Sequence, residues 1–237
     1  VRMACGDMFA TRWVPQAGFS VNPGRQWTLK ANAAMGYRNP SFRELYLYRM
    51  ANPDLQPERM MNYEIQIGKR FSRYLTADAT VYLCRGTDMI QTVDFLNQNT
   101  GRFTNKGIEL SASSHPLDNL TLSLTYSYLH TSLSNLTGAP THQYFIGADW
   151  TPLRGLDLNA ELRGISGLFV SADIHRQSYA LLNLRVSYAV CRYVSLFTRL
   201  ENITDARYVI NRGYPMPGFT AMGGFRATID FPRQTKR

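Results

Sequence analysis

Two stretches of this sequence gather guanidinium and phenol groups closely enough to serve one ligand. The first holds Arg38, Arg43, Tyr46, Tyr48 and Arg49, and the second holds Arg207, Tyr208, Arg212 and Tyr214. A guanidinium donates paired, charge-assisted hydrogen bonds to carboxylate or phosphate, and a phenol adds flat contact area with one polar end. Together they suit an anionic, aromatic small molecule. They suit equally well the ordering of a loop or pairing with phosphates at a lipid surface. Catalysis has no comparable signal. The carboxylates lie singly, and Ser and His occur in no GxSxG or HExxH context. Cys5, Cys84 and Cys191 stand far apart with no CxxC or Cys/His spacing. No metal site, resident cofactor or enzymatic activity is expected.

The elements that must position these clusters read as strands, because period-two alternation runs through most of the chain. Leu120, Leu122, Leu124, Tyr126 and Tyr128 alternate with Thr and Ser. Leu156, Leu158, Ala160 and Leu162 alternate with Asp157, Asn159, Glu161 and Arg163, and Met61, Tyr63, Ile65 and Ile67 alternate with Asn62, Glu64 and Gln66. Helical periodicity is hard to find anywhere. Tight turns are expected at 22–25, 71–73, 115–118, 151–154 and 190–192, where Pro, Gly, Asn and Asp set or relax φ at several positions. Longer polar connections are expected at about 38–57, 91–102, 132–141, 165–177 and 203–218. Short and long alternate, which puts the tight turns at one end of an antiparallel sheet and the long loops at the other.

Strand length and facing then choose the class. Several alternating runs reach about 10–14 residues, where strands of soluble sheets average five or six and a tilted membrane-crossing strand needs about 9–11. Ionised residues such as Lys30, Glu64, Arg70, Asp78, Glu109, Asp149, Glu161, Arg163 and Arg185 fall on one face, and the opposite face carries almost none. An outer-membrane barrel has this sense, apolar toward lipid and polar toward the lumen. Trp27, Tyr74, Trp150 and Tyr193 beside short turns, with Tyr37 and Tyr128 toward the long loops, fit the aromatic belts of such a barrel. The expected fold is an all-β, antiparallel transmembrane β-barrel with about 11–12 strands in this chain. A self-contained twelve-stranded barrel (translocator or barrel enzyme) and a soluble β-sandwich binding module are the alternatives.

Charge adds little to this. The net charge is +9 and the basic residues are nearly all Arg. They are spread along the chain among acids rather than gathered in a patch, which argues against nucleic acid. No run of about 18 apolar residues exists to make a membrane helix, and Val1 opens in mid-pattern, as in a mature segment or a fragment.

Four motifs carry a family resemblance. Gly36-Tyr37-Arg38-Asn39-Pro40-Ser41 with Glu44-Leu45-Tyr46 resembles the GFRAPS…ELY element of TonB-dependent outer-membrane receptors. Asn52, Pro53, Leu55, Pro57 and Glu58, followed by Tyr63 and Glu64, resemble their NPxLxPE…YE segment. Asn105, Gly107 and Glu109 are similar to the NxGxE strand start. Asn202, Asp205, Tyr208, Gly213, Pro215, Pro217 and Gly218 resemble the NLxDxxY…GYPxPG closing hairpin, with Phe219 where the family has Arg. Phe231 matches the terminal aromatic, with a polar tail at 232–237 after the barrel segment 1–231.

The resemblance implies the C-terminal half of a 22-stranded barrel with a plugged lumen. It implies residence in the bacterial outer membrane among lipid and lipopolysaccharide. It also implies TonB-energised uptake of a scarce, bulky nutrient, with TonB reached only through an N-terminal part absent from this chain. Haem receptors of the family place a His between the two upstream motifs, and none lies between Pro40 and Asn52. A metal chelate of the ferric siderophore type is therefore favoured, then cobalamin. The Arg and Tyr clusters are the candidate ligand contacts, and Pro57-Glu58 is expected to return the chain into a strand rather than bind ligand.

Overall fold

The computed structural model describes residues 1–4, 9–134, 136–171 and 176–228. Cys5, His175, Phe231 and the 232–237 tail lie outside the described residues. Strands β1 (Arg2–Ala4) and β2 (Arg12–Val14) pair with each other, ahead of β3 (Gln16–Gly24) and β4 (Trp27–Arg38). Helix α1 (Phe42–Tyr46) precedes β5 (Glu58–Arg70) and β6 (Leu75–Thr87), and then comes a small hairpin of β7 (Ile90–Val93) and β8 (Leu96–Asn99). Next are β9 (Arg102–Leu117), β10 (Leu120–Thr131), β11 (His142–Leu153), β12 (Leu156–Leu168), β13 (Gln177–Cys191) and β14 (Val194–Glu201). A second small hairpin, β15 (Val209–Asn211) and β16 (Tyr214–Pro215), precedes β17 (Thr220–Ala227).

Eleven of these strands form one hydrogen-bonded sheet in the order β17, β14, β13, β12, β11, β10, β9, β6, β5, β4, β3. The two small hairpins lie inside long connections, so each sheet strand neighbours the one before it in the chain. Every alternate connection is tight. Arg25-Gln26, Asp118-Asn119, Arg154-Gly155 and Arg192-Tyr193 each join two strands directly, about two residues C-terminal of the centres of the turns expected at 22–25, 115–118, 151–154 and 190–192.

Residues cluster into two compact units: 1–71, 77–110 and 127–136 in the first, and 72–76, 111–126 and 137–237 in the second. In the first unit, rungs Ala33–Tyr63, Ala31–Ile65 and Leu29–Ile67 share one face, and Asn32–Glu64 and Lys30–Gln66 share the other. In the second, Trp150–Leu158–Val186 and Ala160–Leu184 lie on one face. Asp149–Asn159–Arg185 and Glu161–Asn183 lie opposite, with Asn159 Nδ2 donating to Asp149 Oδ1 at 2.8 Å.

The apolar faces stay uncovered. Among the described residues, only Val14, Leu45, Leu55, Phe103 and Leu168 are buried hydrophobics, whereas Ile65 is 50% exposed. A soluble sandwich buries its apolar face against a second sheet, and among the described residues no such layer covers these strands. On the apolar face of β5 the first and last charges are Arg59 and Lys69, ten residues apart. That separation is about 33 Å along a strand and about 25 Å along the normal at a tilt near 40°, the height of a lipid-facing band.

One element departs from the strand reading. The 39–57 connection contains α1, begun by a capping box in which the Ser41 side chain accepts from the Glu44 N–H and the Glu44 carboxylate accepts from the Ser41 N–H. Five residues are too few to show helical periodicity, but Ser41-Phe42-Arg43-Glu44 spells the S-x-x-E box in sequence.

Candidate functional site

The richest site lies at the long-loop end of the first unit and is built around Arg38, the last residue of β4. Its Nε and Nη2 donate to the two Glu58 oxygens at 2.6 and 2.8 Å, and Nη1 donates to Glu44 Oε2 at 2.9 Å. One guanidinium thus ties a strand end (Glu58, first of β5) to a loop helix (Glu44). Glu58 is 8% exposed and accepts a third bond from the Ile90 N–H at 2.7 Å, which pins the start of the β7–β8 hairpin. Burial works to raise the Glu44 carboxyl, but hydrogen bonds from Arg38 and Ser41 outweigh it and hold the group at about 2.

Asparagines finish the assembly. Asn52 Nδ2 donates to the Asn97 carbonyl at 2.8 Å while Asn52 Oδ1 closes an Asx turn on the Asp54 N–H. The Asn97 N–H donates to the Met50 carbonyl at 2.8 Å, and the Asn52 N–H to the Glu44 carbonyl at 2.9 Å. Asn99 reads Gln56 twice, accepting from its N–H at 2.8 Å and donating to its carbonyl at 2.9 Å. Leu45 and Leu55 of the same connection are buried, 3% and 1% exposed. The 39–57 loop and the β7–β8 hairpin are therefore strapped into one platform.

The platform presents the side chains that the sequence singled out. Arg43 stacks over the Tyr48 ring at 4.8 Å, and Phe42 and Tyr46 contact each other at 5.2 Å. Tyr48 sits at φ +71 with 70% of its surface exposed; Arg49 is also exposed. The remaining member, Arg38, has its charge matched by two carboxylates, so it orders the platform on which the others stand. Two aromatics outside the sequence-based set join them. Phe42 is exposed, and Phe95 is 86% exposed at φ +63 in the β7–β8 turn. No sequence signal marks Phe95. The straps had one, the Asn97-Gln98-Asn99 run inside a loop.

The second cluster is less concentrated. Tyr208 packs on Tyr179 with ring centroids 4.4 Å apart, and Tyr214 is exposed in β16. Arg207 and Arg212 are exposed, and Arg212 has an interaction partner.

The motif residues carry structure. Asn202, 5% exposed, accepts from the Ala206 N–H at 2.9 Å and donates to the Ala206 and Pro217 carbonyls. Asp205 Oδ1 accepts from the Phe219 N–H at 2.9 Å, and a Cβ on Gly218 would collide with that carboxylate. Gly107 lies under the Tyr82 ring and against the Tyr128 carbonyl, where no side chain fits. Glu58 opens β5, as expected of Pro57-Glu58, and also anchors the loop from below. Tyr63 is 45% exposed on the apolar face, while Glu64 and Glu109 line a polar hollow of about 670 Å³ with Lys30, Asn62 and Asn105. Gly213, at φ +81, and Pro215 shape the β15–β16 hairpin, and Pro53 stands exposed in the strapped loop.

Long antiparallel strands with an uncovered apolar band on one face, a charged wall on the other and elaborated loops at one end define a segment of an outer-membrane β-barrel. The family model for the TonB dependent receptor-like β-barrel matches residues 6–203, and the chain belongs to that family. It is 25% identical over 232 residues to the vitamin B12 transporter BtuB of Photobacterium profundum, covering 90% of this chain and 37% of that protein. Among solved structures it resembles a G324V mutant of the ferric enterobactin receptor PfeA of Pseudomonas aeruginosa (TM-score 0.73, 18% identity), covering 93% of this chain and 41% of that one. The copper transporter OprC gives a TM-score of 0.76 at 18% identity, covering 93% and 40%. The chain thus spans about two fifths of the length of these relatives, and its setting is the bacterial outer membrane.

Proposed function

We propose that this chain is barrel and vestibule of an outer-membrane importer that takes up a scarce, bulky nutrient with energy delivered through TonB, a ferric siderophore first and cobalamin second. The observation that carries the reading is the strapped platform at the long-loop end, with Arg43, Tyr46, Tyr48 and Arg49 exposed on a rigid base. Preorganised cation and phenol groups favour an anionic, ring-bearing chelate, because little loop ordering is left to oppose binding. Arg207, Tyr208, Arg212 and Tyr214 form a second ligand-facing group in the last long loop. Family membership supports import. Relatives described as ferric enterobactin, siderophore, copper and vitamin B12 proteins leave the cargo to be decided by the loops. Coupling to TonB belongs to parts of the receptor outside these strands, and lipopolysaccharide surrounds the long-loop end.

The test is uptake of labelled ferric siderophores and cobalamin by a strain lacking the gene, complemented with wild type or with Arg43→Ala/Tyr48→Ala. The expected result is loss of one ferric siderophore on deletion and weakened binding in the double variant. Unchanged uptake of every compound in the deletion strain would overturn the proposal.

A further inference from the structure

A hollow of about 590 Å³ lies on the apolar, lipid-facing side of the first unit. It exists because small residues line up on β4. Ala33 stands between Ala17 of β3 and Tyr63 of β5, and Ala31 stands between Phe19 and Ile65. Phe19 on one flank and Tyr63 and Ile65 on the other, with Ala17, Ala31 and Ala33 between them, make a short trough over β4. Along β4 the distance from Ala33 past Leu29 to Trp27 is about 20 Å, the reach of an extended acyl chain.

Beyond the short-turn end of the trough, past the Leu29–Ile67 rung, stands a cation. Lys69 pairs in register with Trp27, so it points to the same face, and it is the sole charge on the β5 apolar face below Arg59. Its Nζ lies 4.3 Å from the Trp27 ring and 4.9 Å from the Phe71 ring. No carboxylate pairs with it among the described residues. The segments 22–28 and 66–71 contain no acid, and the adjoining turn adds Arg25, while Arg70 belongs to the polar face. An ammonium held at the membrane margin between two aromatic rings, with unmatched positive charge beside it, complements an anionic headgroup.

We infer that this trough and Lys69 form a binding site for one anionic phospholipid of the leaflet at the short-turn side. Its headgroup phosphate sits on Lys69 between Trp27 and Phe71, and one acyl chain lies over Ala31 and Ala33. The site depends on the outer-membrane setting and not on the nutrient imported, so it stands or falls separately from the uptake reading.

The intact receptor, extracted from outer membranes in mild detergent, is titrated with phosphatidylglycerol or phosphatidylcholine and read by native mass spectrometry. Wild type is expected to retain one phosphatidylglycerol in preference to phosphatidylcholine. Lys69→Met is expected to weaken that retention about fivefold, to the phosphatidylcholine level. Ala33→Leu, which fills the trough, is expected to weaken retention of both lipids. Lys30→Met, on the polar face of the same strand, serves as the control and is expected to match wild type. Equal retention of the two lipids by wild type, an unaffected Lys69→Met, or an equal loss in Lys30→Met would each overturn the inference. Lys69 is a surface side chain, so its variant reports even if Ala33→Leu fails to assemble.

Discussion

Replacing Glu58 by Gln tests whether the long-loop platform is held from below by one carboxylate. In the native arrangement Glu58 accepts two bonds from Arg38 and one from the Ile90 N–H, at 2.6, 2.8 and 2.7 Å. Glutamine keeps one acceptor and turns a donor toward the guanidinium, so one charge-assisted bond is replaced by an opposed pair of donors. Such bonds are worth about 1.5–3 kcal/mol when buried. The Arg38 side chain is 44% exposed and its partner 10%, so water recovers part of the loss. A net cost near 2 kcal/mol follows, which is about a 30-fold rise in the population with the platform open.

Hydrogen exchange reads that population locally. Peptides containing the Asn52, Ile90 and Asn97 amides, which donate to Glu44, Glu58 and Met50, should exchange about 30-fold faster, while β12 and β13 are unchanged. Arg38→Met/Glu58→Met also takes the guanidinium from Glu44 and the acceptor from the Ile90 N–H, so it should open the platform at least as far as Glu58→Gln does. A change under about threefold in Glu58→Gln would refute the reasoning, as would equal acceleration in every strand, which signals global destabilisation.

Two further outcomes follow from the same geometry. Glu44 is held at about 2, below the ordinary carboxylate value, so the closed platform binds its proton less readily than the open one; its contribution is complete above about pH 4.5 and fades as pH falls toward 2. Pepsin cleavage between Phe42 and Met50 should therefore accelerate as pH falls from 4 to 2 by more than the enzyme's own profile explains, and constant protection would count against the Arg38–Glu44 pairing. Gly164 lies under the Tyr144 ring, its register partner, so Gly164→Ala should cost about 1–3 kcal/mol by forcing that ring aside, with Tyr144→Ala restoring part of it. Urea unfolding midpoints identical for Gly164→Ala and wild type would show that the ring moves freely.

The sheet was largely legible in the sequence because its period is two and its two faces differ in charge. The alternation around Ile65 and around Leu158 survives directly in the cross-strand rungs. The tight turns were legible to within about two residues: Pro152 drew the expected turn to 151–154, whereas β11 runs through Leu153 and the chain turns at Arg154-Gly155. The loop interior was not. Helix α1 is too short to show a period, and β7 and β8 are four-residue strands inside what read as one polar connection. The Arg38 cluster was visible as composition, but its geometry was not. Charge-matching by Glu44 and Glu58 joins residues up to twenty positions apart, which no local pattern encodes. Phe95 was invisible because an exposed aromatic at a turn tip has no sequence signature.

The straps of the platform use little of its outer surface. Asn52, Asn97 and Asn99 grip mostly backbone carbonyls and amides, and Arg38 grips two carboxylates, so the side chains at positions 42, 43, 46, 48, 49 and 95 make none of these strapping bonds. Scaffold and contact surface are thereby separately inheritable. Exposed tips can be rewritten by mutation without loosening their base, so the loop surface is free to diverge faster than the architecture beneath it.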